Sequence, residues 1–195
     1  MRILVAGIKE IDESKFRRTT DALPNGICDM SVLNKPNGCL WGSTMTPNDY
    51  YLSDWLRWVS EEEFHIEKYE AGAISFTLKK KAKVCEISSV EDYKNLMKKY
   101  FKKKYKNEPY DRNNAKIIDW EMLSRDYDAF HLTENAFWKM RLPWDPDILK
   151  DEDGIYLENF YSYDCESWIL FNLDCINKGS IMNHCVKDSF RDYYD

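Results

Sequence analysis

Residues 164–171 read Asp-Cys-Glu-Ser-Trp-Ile-Leu-Phe, and residues 34–44 read Asn-Lys-Pro-Asn-Gly-Cys-Leu-Trp-Gly-Ser-Thr. Each stretch joins polar side chains to a short apolar run, the pattern of a strand that enters a core. In the later stretch the strand spans 166–173, with Asp164 and Glu166 at its mouth. Side chains two apart in a strand share a face, so both carboxylates are expected on one side of the sheet. A carboxylate there is costly to bury unless it is paired or used. The plain alternative is a solvent-exposed strand start. In the earlier stretch Pro36 and Gly38 specify a turn into a strand over 39–44. Gly42 allows a ligand to come close to the backbone. Lys35 suits a phosphate, Trp41 a flat ring, and Ser43 or Thr44 an amide or ribose hydroxyl. The plain alternative is a turn into a core strand that buries Trp41.

Further strands are expected over 2–8 (RILVAGI), 73–78 (AISFTL), 83–87 (KVCEI), 127–132 (YDAFHL) and 154–161. The third of these reads as the neighbour of the second, joined through a lysine run. Asn48 or Asp49 offers a cap for a helix with Leu52, Trp55, Leu56 and Val59 on one face, ending near Phe64. Ser88 or Ser89 starts another, with Val90, Tyr93, Leu96, Met97 and Tyr100 at helical spacing. Short helices are expected at Ser14–Ala22 and Ile117–Arg125, and loops over 104–115 and 139–153. The last twenty residues fit no single element. The sum is one α+β domain over residues 1–195, with strands dominating the ends and helices between them. Neither G-x-G-x-x-G nor GxxxxGK[ST] occurs, so the two common nucleotide-binding loops are excluded.

The chain has 195 residues, 44% hydrophobic and 32% charged, which excludes wholesale disorder. Aromatic residues make up 15%, enough to build a core or cleft from flat rings. No apolar run reaches the ~18 residues of a membrane span, and the N-terminal stretch reads as a strand rather than a signal peptide. A cytoplasmic protein without membrane contact is expected. The six cysteines show no CxxC spacing, and the three histidines (His65, His131, His184) are scattered, so no metal site is indicated. His131 and Glu134 are candidate acid–base groups, although a histidine at a strand end is also a common structural residue. Cys165 with His131 is a conceivable thiol–imidazole pair that no motif supports.

Net charge is −6, unevenly spread. Lys79–Lys106 holds eleven lysines against three acids, a net +8, which leaves −14 for the remainder. This segment is a candidate docking surface for phosphate, nucleic acid or an acidic partner, or else a solvated helix face and loop.

Taken together, the Lys-Pro-turn-Gly-x-Leu-Trp-x-Ser strand, the helix with Trp55 and Trp58, and the late Asp-Cys-Glu-Ser strand resemble small phage and bacterial proteins similar to the mono-ADP-ribosyltransferase superfamily. The resemblance covers roughly residues 30–78 and 126–172. It implies a split-sheet ADP-ribosyltransferase-like fold with NAD as substrate and transfer of ADP-ribose to a macromolecular acceptor, protein or nucleic acid. It implies that Glu166 is the catalytic glutamate and that Asp164 holds the acceptor-linked position two residues earlier. Leu40–Thr44 matches the strand that serves the nicotinamide ribose. Lys35, Trp41, Ser43, Thr44, Tyr51 and Trp55 are the implied NAD-binding residues. The sequence departs from the family pattern at Met45, where a second Ser is usual. The first strand lacks His-Gly-Thr, which leaves Arg2 and Lys9 as its only basic residues. Two rival readings are a non-enzymatic phage-type inhibitor acting through 79–106 and a glycosyl or nucleotide hydrolase using Asp164 and Glu166.

Overall fold

The computed structural model describes residues 1–17, 19, 35–47, 49–103 and 115–186. Its strands are β1 (Ile3–Ala6), β2 (Leu40–Thr44), β3 (Ala73–Phe76), β4 (Val84–Ile87), β5 (Phe101–Lys103), β6 (Lys116–Ile118), β7 (Ala129–Leu132), β8 (Ser167–Leu170) and β9 (Met182–His184). Its helices are α1 (Asp54–Glu61), α2 (Ile66–Tyr69), α3 (Val90–Lys99), α4 (Trp120–Asp126) and α5 (Glu134–Arg141). Seven strands form one sheet in the order β4-β7-β8-β2-β1-β3-β9, and β5 pairs with β6 apart from it. Among the described strands only β4 and β7 pair in parallel; every other pair is antiparallel. The chain is thus an α+β fold built on a mixed sheet. Among the described residues no helix is long and apolar enough to cross a membrane.

Alternation along the strands divides the core. Cys85, Ile87, Phe130, Leu132 and Ile169 face the apolar sides of α3, α4 and α5, which contribute Tyr93, Leu96, Met97, Trp120, Leu123, Phe137 and Met140. On the opposite face Ile3, Val5, Ile74, Phe76, Ala129, Trp168 and Leu170 pack together. Leu4 and Ala73 meet Leu56 and Val59 of α1. Each large buried side chain contributes about 1.5–3 kcal/mol, so these helix faces hold their places by burial.

Several sequence expectations are corrected here. The Lys79–Lys83 connection does not make a hairpin, because β3 pairs with β1 and β9 whereas β4 lies at the far edge beside β7. Ile117 and Ile118 belong to β6, and Asp119 then caps α4 by accepting from the Met122 N–H. The cap of α1 is Ser53, not Asp49; Asn48 lies outside the described residues. Residues 154–161 form only isolated bridges, Lys116 with Leu157 and Lys150 with Tyr156. Thr133 caps α5, a helix that the sequence reading did not place. Near residue 14 there is a single 3-10 turn at Glu13–Lys15, and residues 18, 20–22 and 104–114 lie outside the described set.

One feature of the sheet positions everything else. β2 pairs with β8 through Leu40, Trp41 and Gly42, and with β1 through Ser43 and Thr44. The sheet therefore opens between β2 and β8 beyond Gly42. A Cβ on Gly42 would stand 2.8 Å from both Ile3 Cγ2 and the Leu4 carbonyl oxygen, so β1 can cross β2 there only over glycine. Gly42→Ala is expected to cost about 2 kcal/mol through overpacking, seen as a fall of roughly 4–8 °C in Tm by calorimetry.

The described thiols are all free, and Cys185 is the exposed one. Burial pushes Cys39, Cys85 and Cys175 up to about 12. Burial also raises Cys165, with the charge of Glu166 adding to it. Iodoacetamide pulses at neutral pH read by mass spectrometry should modify Cys185 before these four, which stay protected until the chain unfolds.

Candidate active site

Glu166 sits in the opening of the sheet and is 5% exposed. Its Oε1 accepts from Thr44 Oγ1 at 2.7 Å and faces His131 Nε2 at 2.6 Å. Its Oε2 accepts from the Thr44 backbone N–H at 2.8 Å and from Ser43 Oγ at 3.1 Å. A carboxylate offers about four lone-pair positions, and here four partners meet them. Such burial is tolerable only with this degree of satisfaction. The Thr44 N–H is available because β2 has already left β8. Trp168 Nε1–H donates to Thr44 Oγ1 at 3.0 Å, and the Trp168 indole stacks on the His131 ring at 4.0 Å and 12°. His131 Nδ1 faces Glu86 Oε2 at 3.0 Å.

Beside Glu166 lies a cleft of about 340 Å3 whose walls include Lys35, Trp41, Trp55, Tyr69 and Tyr163. Trp41 and Tyr163 sit 5.4 Å apart, and Lys35 Nζ lies over both rings at 5.7 and 5.4 Å. Burial lowers the Lys35 pKa, and the charge of Asp164, 4.0 Å away, opposes this. Burial raises the Asp164 carboxyl, with Lys35 and Arg141 acting against it. A second cavity of about 250 Å3 is bounded by Asp54, Arg57, Glu134 and Trp138, and it shares Asp164, Cys165 and Glu166 with the first. Two larger cavities, about 430 and 450 Å3, lie around Lys15 and around Lys116. Neither gathers buried polar groups as the Glu166 site does, so the smaller cleft is the candidate site.

The structure brings Lys35, Trp41, Trp55, Asp164 and Glu166 to one cleft, with Ser43 and Thr44 bonded to Glu166. Tyr51 lines neither cavity; it packs edge-on against Tyr50 and under Arg57. Leu52 has φ 63°, a left-handed turn between Tyr51 and the start of α1. Arg2 lines none of these four cavities. Its guanidinium donates to Ser75 Oγ and to the Ser75 and Ser180 carbonyls, tying β1 to β3. Lys9 lines the cavity around Lys15. Glu134 is exposed on the rim of the second cavity, and no hydrogen bond joins it to His131, whose nitrogens face Glu86 and Glu166. That arrangement also leaves His131 no nitrogen for Cys165. Within the basic segment, Lys98 pairs with Glu152 and Lys99 with Asp126, so part of its charge is already matched; Lys104–Lys106 lie outside the described residues.

Sequence reasoning missed Tyr69, Tyr163 and Glu86 and underused His131. The alternation in YDAFHL groups His131 with Ala129 on one face of the strand, and the register of β7 with β8 then sets it opposite Trp168. Comparison with protein-family models, with curated proteins and with solved structures finds no match to the chain.

Thr44→Val removes the hydroxyl that links Trp168 to Glu166 with little change of shape. Urea unfolding should show a loss of about 1–3 kcal/mol, larger than that for Ser43→Ala, whose bond is the longest of the four.

Proposed function

We propose that this protein is an NAD-dependent ADP-ribosyltransferase-like enzyme with the split-sheet fold of that superfamily, transferring ADP-ribose to a macromolecular acceptor. The observation that carries this reading is Glu166, held by the two hydroxyl residues that follow Trp41, in the wall of an aromatic cleft. The cleft suits a ligand with a flat ring, a sugar and a phosphate. Trp41 and Tyr163 offer ring faces to the nicotinamide, and Lys35 offers a cation to the pyrophosphate. The Ser43 hydroxyl can rotate away from Glu166 and yield its place to a ribose hydroxyl.

The chemistry follows from charge. The C–N glycosidic bond breaks, nicotinamide departs with the bonding pair as a neutral ring, and positive charge develops at the ribose C1 and ring oxygen. Glu166 faces that charge as it forms, so its attraction is greater in the transition state than in the ground state. Burial strengthens the effect by lowering the local dielectric. The acceptor nucleophile then bonds to C1 and releases its proton to water. The second cavity, which meets the first at residues 164–166, gives the acceptor a separate approach.

Incubation with labelled NAD and a cell lysate tests this. The wild type should release nicotinamide and label a macromolecule. Glu166→Gln should lower the rate at least about 100-fold and remain folded by circular dichroism. Absence of NAD binding, hydrolysis and transfer by the wild type would contradict the reading.

A further inference from the structure

We infer that Glu86 is a positioning residue for Glu166, acting through His131; the inference rests on the transferase reading for its effect on turnover. Register places the three groups in line. Glu86 of β4 stands opposite His131 of the parallel strand β7, and His131 stands opposite Trp168 of β8. The buried imidazole therefore lies between a carboxylate at the sheet edge and the carboxylate in the cleft wall. Its Nδ1 faces Glu86 at 3.0 Å and its Nε2 faces Glu166 at 2.6 Å.

The ring plane is fixed by the stack on Trp168, whose own N–H is anchored on Thr44. What the stack does not fix is which edge of the ring points to Glu166. A ring turned over within the same plane would set carbon atoms against the carboxylates. Glu86 decides this orientation by engaging Nδ1. Glu86 is in turn held from the other side, because Ser88 Oγ donates to its Oε1 at 3.1 Å. The Glu86 side chain is about half exposed while the His131 and Glu166 side chains are both buried, so the line runs from solvent to the buried site.

With the ring in this orientation Glu166 Oε1 meets a ring nitrogen rather than a ring carbon, at 2.6 Å. Loss of Glu86 frees the ring to turn, and Glu166 then loses its shortest hydrogen bond without any direct change at the cleft.

The test uses the full chain, with Glu86→Ala, which removes the acceptor, and Glu86→Gln, which keeps an acceptor oxygen without the charge. Steady-state NAD turnover is measured together with the nitrogen-15 and proton spectrum of the histidine rings. The three histidines are assigned with His131→Gln. Glu86→Ala should lower kcat about ten- to hundredfold, with KM for NAD within about twofold, and should shift the His131 ring signals. Glu86→Gln should restore the ring orientation and recover part of kcat. Unchanged His131 signals in Glu86→Ala, or shifted signals with kcat within about twofold of wild type, would overturn the inference. If the wild type turns over no NAD, the transferase reading fails, and the ring spectrum alone decides whether Glu86 holds His131 on Glu166.

Discussion

A carboxylate buried in a break between two strands organises this molecule. Glu166 takes up the backbone N–H that Thr44 would otherwise offer to a neighbouring strand, and it does so where β2 turns from β8 to β1. Burying such a charge alone would cost several kcal/mol. The cost is offset by hydrogen bonds from Ser43, Thr44 and His131, and these in turn need β2, β7 and β8 in their observed register. Gly42 is the steric condition for this layout, since any side chain there would push β1 away.

The same arrangement fixes the geometry beside the cleft. The groups that hydrogen-bond Glu166 come from strands rather than from loops, so its carboxyl group is held in place. Aromatic rings from four separate segments wall the cleft next to it: Trp41 from β2, Trp55 from α1, Tyr69 from α2 and Tyr163 from the turn before β8. Asp164 and Lys35 oppose each other at its edge, each with a pKa displaced towards the neutral form by burial. On the transferase reading proposed above, the flat ring of NAD meets these aromatic faces and its pyrophosphate meets Lys35.

Much of the fold was legible because most central strands carry short apolar runs bounded by turn residues, and because α3 keeps its apolar side chains at helical spacing behind Ser89. The order of the strands was not. Sequential strands tend to pair, which makes β3 and β4 look like a hairpin, yet both edges of β3 are occupied by β1 and β9. The helix α5 was obscured by the Pro and acidic residues that follow it, although Ala136, Phe137 and Met140 form its buried face. At the site, Trp41, Ser43, Thr44 and Glu166 could be named from the two polar-ended strands alone. The partnership of Glu86 with His131 could not, because it depends on the register of a parallel pair whose strands lie more than forty residues apart. Tyr51 was misplaced because the left-handed turn at Leu52 is invisible in composition.

The most direct measurement is a crystal structure of the Glu166→Gln variant soaked with NAD. The account predicts density in the cleft with the nicotinamide against Trp41 and a hydroxyl of its ribose within hydrogen-bonding distance of side chain 166. NAD bound elsewhere on the protein, or an empty cleft at millimolar NAD, would contradict it.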